Sequence, residues 1–315
     1  MTRETMRAIR VHQFGGPDQL KLEQIPRPLP HEGEVLVRVY AAGVLPAEWK
    51  LRQGLFQGIH PTVFPYVPGS ALAGVVERAG SGVTQFQQGQ AVFGRTPNGA
   101  YASFATAPVN TLARKPEILT FQEAATISGG ATVAWTALFE NGALQSGQRV
   151  LIHGAAGGVG MFAVQFARWK GAHVVATAST ANVELVRSLG AETVIDYTVT
   201  PFERVAQDMD LVLDTQGGDV LQRSLEVVRP GGTVVSLLEQ PSQAQARARG
   251  IYAMKNTVTQ PFPSTQLLDA IAQLLESGQI RTIIGETFSS QEARKAHKLG
   301  QTGHGRGRIV LHISE

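Results

Sequence analysis

One segment limits the fold of this chain more than any other: the glycine-rich run GAAGGVG at residues 154–160. A short apolar segment, 149–153, precedes it and predicts a buried strand. Apolar residues then recur at helical spacing along one face, at Val159, Phe162, Ala163, Phe166 and Ala167. A glycine turn between a strand and a helix is the context that a dinucleotide fingerprint requires, because the helix N-terminus can face a pyrophosphate.

The turn departs from the common fingerprint at one position, because Ala155 stands at the usual first glycine. That residue is tolerated if its φ is negative. Gly157 would let backbone amides approach the pyrophosphate, and Gly160 would let the helix pack close to the sheet. A glycine-rich turn without a ligand is the alternative interpretation. The predicted cofactor contacts here are Ala155, Ala156, Gly157, Gly158, Val159 and Gly160.

The strand–helix alternation continues beyond this unit. Further buried strands are predicted at 173–178, 194–195, 211–213 and 233–237, with a helix at 182–189. Gly171 and Gly190 follow the two helices, where a left-handed cap is favoured. This order predicts an α/β fold with a parallel, doubly wound sheet. Candidate cofactor residues follow the ends of the later strands, with core packing as the alternative for the leucines: Thr215, Gln216, Leu237 and Leu238.

The end of the second strand bears on which dinucleotide is bound. An NAD site usually carries an Asp or Glu there for the ribose, but residues 176–182 contain no carboxylate. Ser179, Thr180 and Asn182 could instead donate hydrogen bonds to a 2′-phosphate. The segment contains no Arg or Lys, so a charge partner has to come from elsewhere. The sequence therefore favours NADPH as the cofactor.

The regions on either side of the alternating part have a different pattern. Val35, Val37 and Val39 alternate along 34–40, and Gly and Pro turns recur up to about residue 120, which predicts a compact β domain. A helix is predicted over 122–141. The tail adds a helix over 267–275 and a last strand over 308–312.

Several motifs together resemble the zinc-free quinone oxidoreductase branch of the medium-chain dehydrogenase/reductases. They are GAAGGVG followed by AVQFA, SLGA with VIDY, RPGGT, the closing GRGRIVL and, earlier, AAGV, WK, VPG and AGVVE. The resemblance implies a GroES-like β-barrel domain of residues 1–122 plus 263–315, with a Rossmann domain of residues 123–262 inserted. It also implies NADPH-dependent hydride transfer to a quinone or an α,β-unsaturated carbonyl.

The same resemblance implies further contacts. Thr132, Tyr197 and Arg308 are carried over as cofactor contacts. The family commonly dimerises through the edge of its Rossmann sheet, so a homodimer is expected through the strand near 253–258.

Zinc-dependent relatives bind their catalytic metal at positions that read GVLP (43–46) and GSA (69–71) in this chain. The chain has no Cys, and no H-x-x-x-H pair occurs, so no metal is expected. Leu45 and Ala71 replace the Asn and the acidic residue that zinc-free members often carry. That replacement predicts a more apolar pocket.

Without zinc, a proton donor or water has to serve the product anion. Tyr66, Tyr252 and Lys50 are the candidates. A core aromatic is the alternative for Tyr66, and a surface lysine is the alternative for Lys50. Two further functions stay open, a zinc-free alcohol or aldehyde oxidoreductase and a non-catalytic NADPH-binding regulator.

The composition argues against several partner classes. The formal charge is +3 over 315 residues, and no basic stripe is interleaved with aromatic residues, so nucleic acid is not an expected partner. The N-terminus lacks a signal-peptide core, and no apolar run is long enough for a membrane span. A cytoplasmic location and no membrane partner are expected.

Overall fold

The structure is a computed structural model that describes residues 4–58, 61–257, 262–303 and 305–313. The chain divides into two compact units. The GroES-like unit consists of Met1–Gly129, Phe262–Glu276 and Thr282–Glu315, and the Rossmann unit consists of Gly130–Pro261 and Ser277–Arg281. No helix within the described ranges has both the length and the apolar character needed to cross a bilayer.

In chain order the strands are β1 Thr5–Arg10, β2 Lys21–Pro26, β3 Glu34–Gly43, β4 Ala71–Ala79, β5 Ala91–Arg95, β6 Phe104–Pro108, β7 Leu112–Arg114, β8 Arg149–Ile152, β9 His173–Ala178, β10 Thr193–Asp196, β11 Met209–Asp214, β12 Val228–Ser236, β13 Tyr252–Lys255, β14 Ile284–Ser289 and β15 Arg308–His312. The α-helices are α1 Pro46–Arg52, α2 Phe121–Ala124, α3 Thr132–Trp135, α4 Gly160–Trp169, α5 Val183–Ser188, α6 Gly218–Ser224, α7 Gln243–Arg249, α8 Thr265–Glu276 and α9 Ala293–Gln301.

A six-stranded sheet forms the centre of the Rossmann unit, in the order β10-β9-β8-β11-β12-β13 with every neighbouring pair parallel. The chain runs outward from β8 to β10 and then returns to build β11 to β13 on the other side. The order therefore reverses between β8 and β11, and ligands bind at the carboxyl ends of strands beside such a switch point. The predicted α/β fold with a doubly wound parallel sheet is confirmed.

The core of the sheet explains why these strands were recognisable in the sequence. Leu151, Val212 and Val234 lie on adjacent strands and are fully buried. Gly171 and Gly190, the predicted helix stops, have φ values of 84° and 107°, which L side chains rarely adopt.

The GroES-like unit contains a seven-stranded sheet in the order β14-β15-β3-β4-β5-β7, with β6 also paired to β3, and a separate β1-β2 pair. The long strand β3 contains the alternating valines, and Val35, Val37 and Val39 are all buried, as predicted. The predicted tail helix and last strand are confirmed as α8 and β15.

The single helix predicted over 122–141 is wrong. The structure has α2, a π-helical turn at Ile127–Ala131, α3 and a second π-helical turn at Thr136–Asn141. Ser128 and Gly129 interrupt the helical dihedrals, and Gly129 has a φ of 78°. Helix periodicity cannot reveal such a break, because the apolar residues on either side still fall at helical spacing.

The unit limits differ from the predicted domain limits at residues 123–129, at Phe262, which belongs to the GroES-like unit, and at Ser277–Arg281. Residues 123–129 belong to the GroES-like unit, where α2 packs on β3 and β4. Ser277–Arg281 belongs to the Rossmann unit, because Gln165 on α4 exchanges two hydrogen bonds with the Arg281 backbone, at 2.8 and 3.0 Å.

Candidate functional site

The glycine turn lies between β8 and α4, at the carboxyl end of a central strand. Gly154 takes the left-handed conformation with a φ of 63°, whereas Ala155 keeps a negative φ. The buried Ala155 donates its backbone N–H to the Thr177 carbonyl of β9 at 3.0 Å. The left-handed residue is therefore one position earlier than the usual first glycine, which explains how alanine is accommodated at 155.

Two glycines of the turn have different surroundings. A Cβ atom on Gly160 would lie 2.3 Å from the Gly154 oxygen and 2.7 Å from the Ala155 Cα, so only glycine permits this close approach of helix and turn. A Cβ on Gly157 would meet only the Gly154 oxygen, at 3.2 Å. The open space over Gly157, next to the N-terminus of α4, suits a bound phosphate.

Buried polar groups at the strand ends hold this turn in place. His153 Nδ1 lies 3.1 Å from Thr177 Oγ1, and its Nε2 lies 3.0 Å from Ser224 Oγ. Thr177 Oγ1 also accepts the Gly154 N–H at 3.3 Å. Burial lowers the pKa of His153 to about 3, with a smaller effect from Arg223, so the imidazole is neutral and structural.

Asp214 organises the neighbouring strand end. This fully buried carboxylate accepts the backbone N–H groups of Gln216, at 2.9 Å, and Gly217, at 3.0 Å, and the Ser236 hydroxyl at 2.7 Å. The adjacent Thr215 donates its hydroxyl to the His153 carbonyl at 2.8 Å. Sequence reasoning missed His153, Thr177 and Asp214 as supports, although each ends or adjoins a predicted strand.

The two leucines after β12 are more exposed than residues that only pack in the core. Leu238 is 41% exposed and Leu237 is half-buried, while the Leu237 N–H donates to the Asp214 carbonyl at 2.9 Å. Both residues therefore stand at the carboxyl edge of the sheet with surface free for a ligand.

The residues after β9 form a small polar group. Asn182 donates to Ser179 Oγ at 3.0 Å, and Tyr197 is 53% exposed after β10. Thr180 and Thr198 approach within 3.0 Å, and Thr198 also donates to Asp196 Oδ1 at 2.6 Å. The carboxylate of Asp196 is thus near this group and is occupied by a hydrogen bond from its own loop.

Two other predicted positions in the Rossmann unit have contrasting placements. Thr132 is buried at the first turn of α3. Tyr252 is 65% exposed and begins the edge strand β13, paired in register with Thr233. It lies towards the amino ends of the parallel strands, so the structure does not bring this predicted donor to the glycine turn. The predicted dimer strand overlaps β13, but its end at Val258 lies outside the described residues.

In the GroES-like unit, a buried carboxylate holds the loop at residues 69–71. This loop is the former metal position, because zinc-dependent relatives have a zinc ligand there. Glu48 on α1 accepts the backbone N–H groups of Gly69, at 2.7 Å, and Ser70, at 3.1 Å, and the Ser70 hydroxyl at 3.0 Å. Desolvation raises the pKa of Glu48, while Arg95 and these hydrogen bonds oppose the rise. Sequence reasoning missed Glu48: it expected an apolar pocket around Leu45 and Ala71, which are both buried.

Two guanidinium groups interact electrostatically with Glu48. Arg95, at the end of β5, donates through Nη2 to Ser70 Oγ at 2.7 Å. Arg308, at the start of β15, is buried, and desolvation lowers its pKa to about 10 against the effect of Glu48. Arg95 Nε and Arg308 Nε and Nη2 are buried without a hydrogen-bond partner among the described residues.

A second buried cluster contains the predicted Tyr66. Tyr101 Oη lies 3.2 Å from His297 Nε2, and Arg52 Nε donates to His297 Nδ1 at 3.5 Å. The Tyr66 hydroxyl is buried without a partner in the described chain, and desolvation raises its pKa to about 12. Tyr66 therefore stays protonated near neutral pH. Lys50, on α1, is half-buried.

No group of three or more His, Cys, Asp or Glu residues that could hold a metal ion occurs in the described ranges. At the segments that hold zinc ligands in zinc-dependent relatives, the chain has GVLP (43–46), whose side chains are only hydrocarbon, and Ser70 within GSA (69–71). A hydrocarbon and a hydroxyl that already donates to Glu48 do not fit a catalytic zinc ion.

Two family models match the chain. One, described as zinc-binding dehydrogenase, covers residues 189–311, and the other, described as alcohol dehydrogenase GroES-like domain, covers residues 31–117. Quinone oxidoreductase from Rattus norvegicus is 32% identical over 308 residues, covering 93% of each chain. A 2-methylene-furan-3-one reductase from Solanum lycopersicum is 32% identical and covers 98% of this chain and 79% of its own.

A solved mycobacterial structure, complexed with NADPH, superposes with a TM-score of 0.88 at 27% identity and covers 98% of this chain and 99% of its own. The similarity thus extends over both units and nearly the whole length. The chain belongs to the quinone oxidoreductase-like branch of the medium-chain dehydrogenase/reductase superfamily.

Proposed function

We propose that the protein is an NADPH-dependent, zinc-independent reductase that delivers hydride to a quinone or to the β-carbon of an α,β-unsaturated carbonyl. The observation that carries the proposal is the glycine turn, where Gly160 permits close packing and Gly157 leaves open space for a phosphate. Support comes from the rat relative, named for quinones, and from the tomato relative, named for a conjugated ketone.

The chain's own residues divide the work of binding the cofactor. The backbone at 156–160 and the start of α4 would hold the pyrophosphate. Asp214 fixes the loop that presents Thr215 and Gln216, and Leu237 and Leu238 supply apolar contact. Thr132 and Arg308 are assigned to further cofactor contacts, the guanidinium to a phosphate. NADPH, when bound, supplies a hydride from C4 of its nicotinamide.

The preference for NADPH over NADH rests on the end of β9. Ser179 and Asn182 offer hydrogen bonds where an NAD site would present a carboxylate. Asp196 is close to this group but already accepts the Thr198 hydroxyl and N–H. The solved mycobacterial structure, which contains NADPH, also supports this preference.

The test is consumption of reduced nicotinamide by the purified protein with EDTA present throughout. The acceptor panel contains simple quinones and short enals and enones, each assayed with NADPH and with NADH. We expect turnover with NADPH and a kcat/KM that is clearly higher than with NADH. A ratio below one would refute the cofactor assignment, and the best acceptor decides between quinone and enone.

Two other results would replace the proposal. NADPH binding without turnover of any acceptor would indicate a regulator that binds the dinucleotide. Oxidation of alcohols or reduction of simple aldehydes, without activity on conjugated carbonyls, would indicate an alcohol or aldehyde oxidoreductase.

We also propose a cytoplasmic homodimer that uses a small-molecule substrate and no nucleic acid. Strand β13 is the edge of the Rossmann sheet and could pair with a second copy. Sedimentation analysis of the protein and of a variant with Ala253→Pro tests this pairing, since proline removes a backbone donor. We expect a dimer that the substitution dissociates.

A further inference from the structure

Arg95 is a partly buried cation with few polar partners among the described residues. Its one hydrogen bond among the described residues runs from Nη2 to Ser70 Oγ at 2.7 Å. Its Nε is buried without a partner, and the Phe262 ring centroid lies 5.2 Å from its guanidinium carbon. No described carboxylate lies within ion-pair distance of Arg95. A guanidinium has five N–H donors, so most of the hydrogen-bonding capacity of Arg95 is unused.

Ser70 and Glu48 fix the position of this guanidinium. The Ser70 hydroxyl donates its proton to Glu48 Oε1 at 3.0 Å, so the oxygen can only accept from Arg95. Glu48 is in turn held by the N–H groups of Gly69 and Ser70. The orientation of Arg95 is thus set before any ligand arrives, which is the condition for effective electrostatic stabilisation.

The charges around Arg95 favour binding of an anion. Glu48 is the one described carboxylate that interacts electrostatically with both Arg95 and Arg308. A cofactor phosphate is assigned to Arg308, so the buried and unpaired Nε of Arg95 is left without a negative partner in the described chain. Desolvation raises the pKa of Tyr66 and of Tyr101, so neither phenol supplies negative charge near neutral pH. An excess of buried positive charge is costly unless a negative group binds to it.

We propose that Arg95 is a catalytic residue that receives the negative charge developing on the carbonyl oxygen of the substrate. The inference rests on the proposed reductase function and deepens it. Ser70 occupies the position of a zinc ligand in zinc-dependent relatives, so Arg95 places a cation next to the former metal position. The guanidinium there takes the electrophilic role of the metal ion.

The reduction consumes the acceptor, NADPH and one proton from water. The β-carbon of the acceptor gains a C–H bond with the hydride and electron pair from C4 of NADPH, which leaves NADP⁺. The carbon–carbon π pair shifts towards the carbonyl, and the carbonyl π pair moves onto oxygen. Arg95 stays protonated and binds this oxyanion, and water then protonates it, so that a quinone gives its hydroquinone after tautomerisation.

The first test compares Arg95→Met and Arg95→Ala with a matched control, Arg78→Met, on the exposed end of β4. We expect Arg95→Met to lower kcat by about 100-fold, the typical effect of removing one oxyanion donor. The dissociation constant of NADPH and the thermal midpoint should stay at the wild-type values. Added guanidinium salt should restore part of the activity of Arg95→Ala but not alter the control. Unchanged kcat in Arg95→Met would overturn the proposal.

The second test needs no turnover and separates the two proposals. 4-Nitrophenol, whose phenolate absorbs at longer wavelength than the phenol, is titrated into each protein near neutral pH. We expect the wild type to bind the phenolate form preferentially and Arg95→Met to lose that preference. If the wild type turns over no acceptor yet shows this Arg95-dependent shift, the oxyanion site stands and the reductase function fails. An identical shift in wild type and Arg95→Met would overturn the assignment of Arg95.

Discussion

Gly160→Ala is the substitution whose outcome follows most directly from the geometry of the turn. The new Cβ would lie 2.3 Å from the Gly154 oxygen and 2.7 Å from the Ala155 Cα. Both neighbours are backbone atoms, so no side chain can rotate away and α4 has to move. Such overpacking costs about 1–3 kcal/mol. The thermal midpoint of the Rossmann unit should fall by about 3 °C for each kcal/mol.

The same movement should weaken cofactor binding, because the amides at the start of α4 shift from the pyrophosphate. We expect the NADPH dissociation constant, measured by nicotinamide fluorescence, to rise at least tenfold, or about 1.4 kcal/mol. Gly157→Ala is the matched control, since its Cβ would meet only the Gly154 oxygen at 3.2 Å. It should keep the thermal midpoint while weakening NADPH through the lost open space. Gly160→Ala with wild-type stability and wild-type affinity would refute the assignment of this turn.

Three further outcomes follow from the structure. Thr177→Val removes the hydroxyl that lies against His153 and accepts the Gly154 N–H, and should lower the unfolding free energy by about 1–3 kcal/mol in urea titrations; an unchanged midpoint would contradict this role. Burial lowers the pKa of His153 and of His297 to about 3. Between pH 6.5 and pH 3 these histidines are therefore protonated in the unfolded chain and neutral in the folded chain. The contribution of these histidines to the unfolding free energy should therefore be fully present above about pH 6.5. It should fall between pH 6.5 and pH 3, by up to about 1.4 kcal/mol per pH unit for each histidine. Equal urea midpoints at pH 6.5 and near pH 3 would contradict this prediction. Ser179→Asp should lower kcat/KM for NADPH and raise kcat/KM for NADH, whereas an unaltered ratio of the two would remove Ser179 from the 2′-phosphate site.

The parallel sheet was predictable because its strands bury apolar side chains on both faces and its helices end at glycines such as Gly171. The helix α9 was not predictable in the same way. Its buried face consists of Ala293, Ala296 and His297, and the imidazole is accommodated by Arg52 and Tyr101 from distant parts of the chain. Sequence periodicity detects apolar stripes and cannot detect a polar core residue that finds its partners only after folding.

In the candidate site, too, features that are local in sequence could be predicted and contacts between distant segments could not. The glycine turn is local in sequence, so its position between a strand and a helix could be predicted. The Glu48–Ser70–Arg95 arrangement joins three separate segments, and no spacing rule connects them. The position of Tyr252 could not be predicted for a related reason: its segment was recognised, but the residue at which β13 begins fixes which end of the sheet Tyr252 occupies. Its role as a proton donor stays a prediction.

Isotope labelling can follow the proposed metal-independent hydride transfer from NADPH to a conjugated carbonyl. The most direct measurement uses NADPH deuterated at C4 on the transferred face, an enone acceptor and protein kept in EDTA, with the product analysed by NMR. We expect deuterium at the β-carbon of the saturated ketone. Product formed without the label, or formed only after zinc is added, would contradict it.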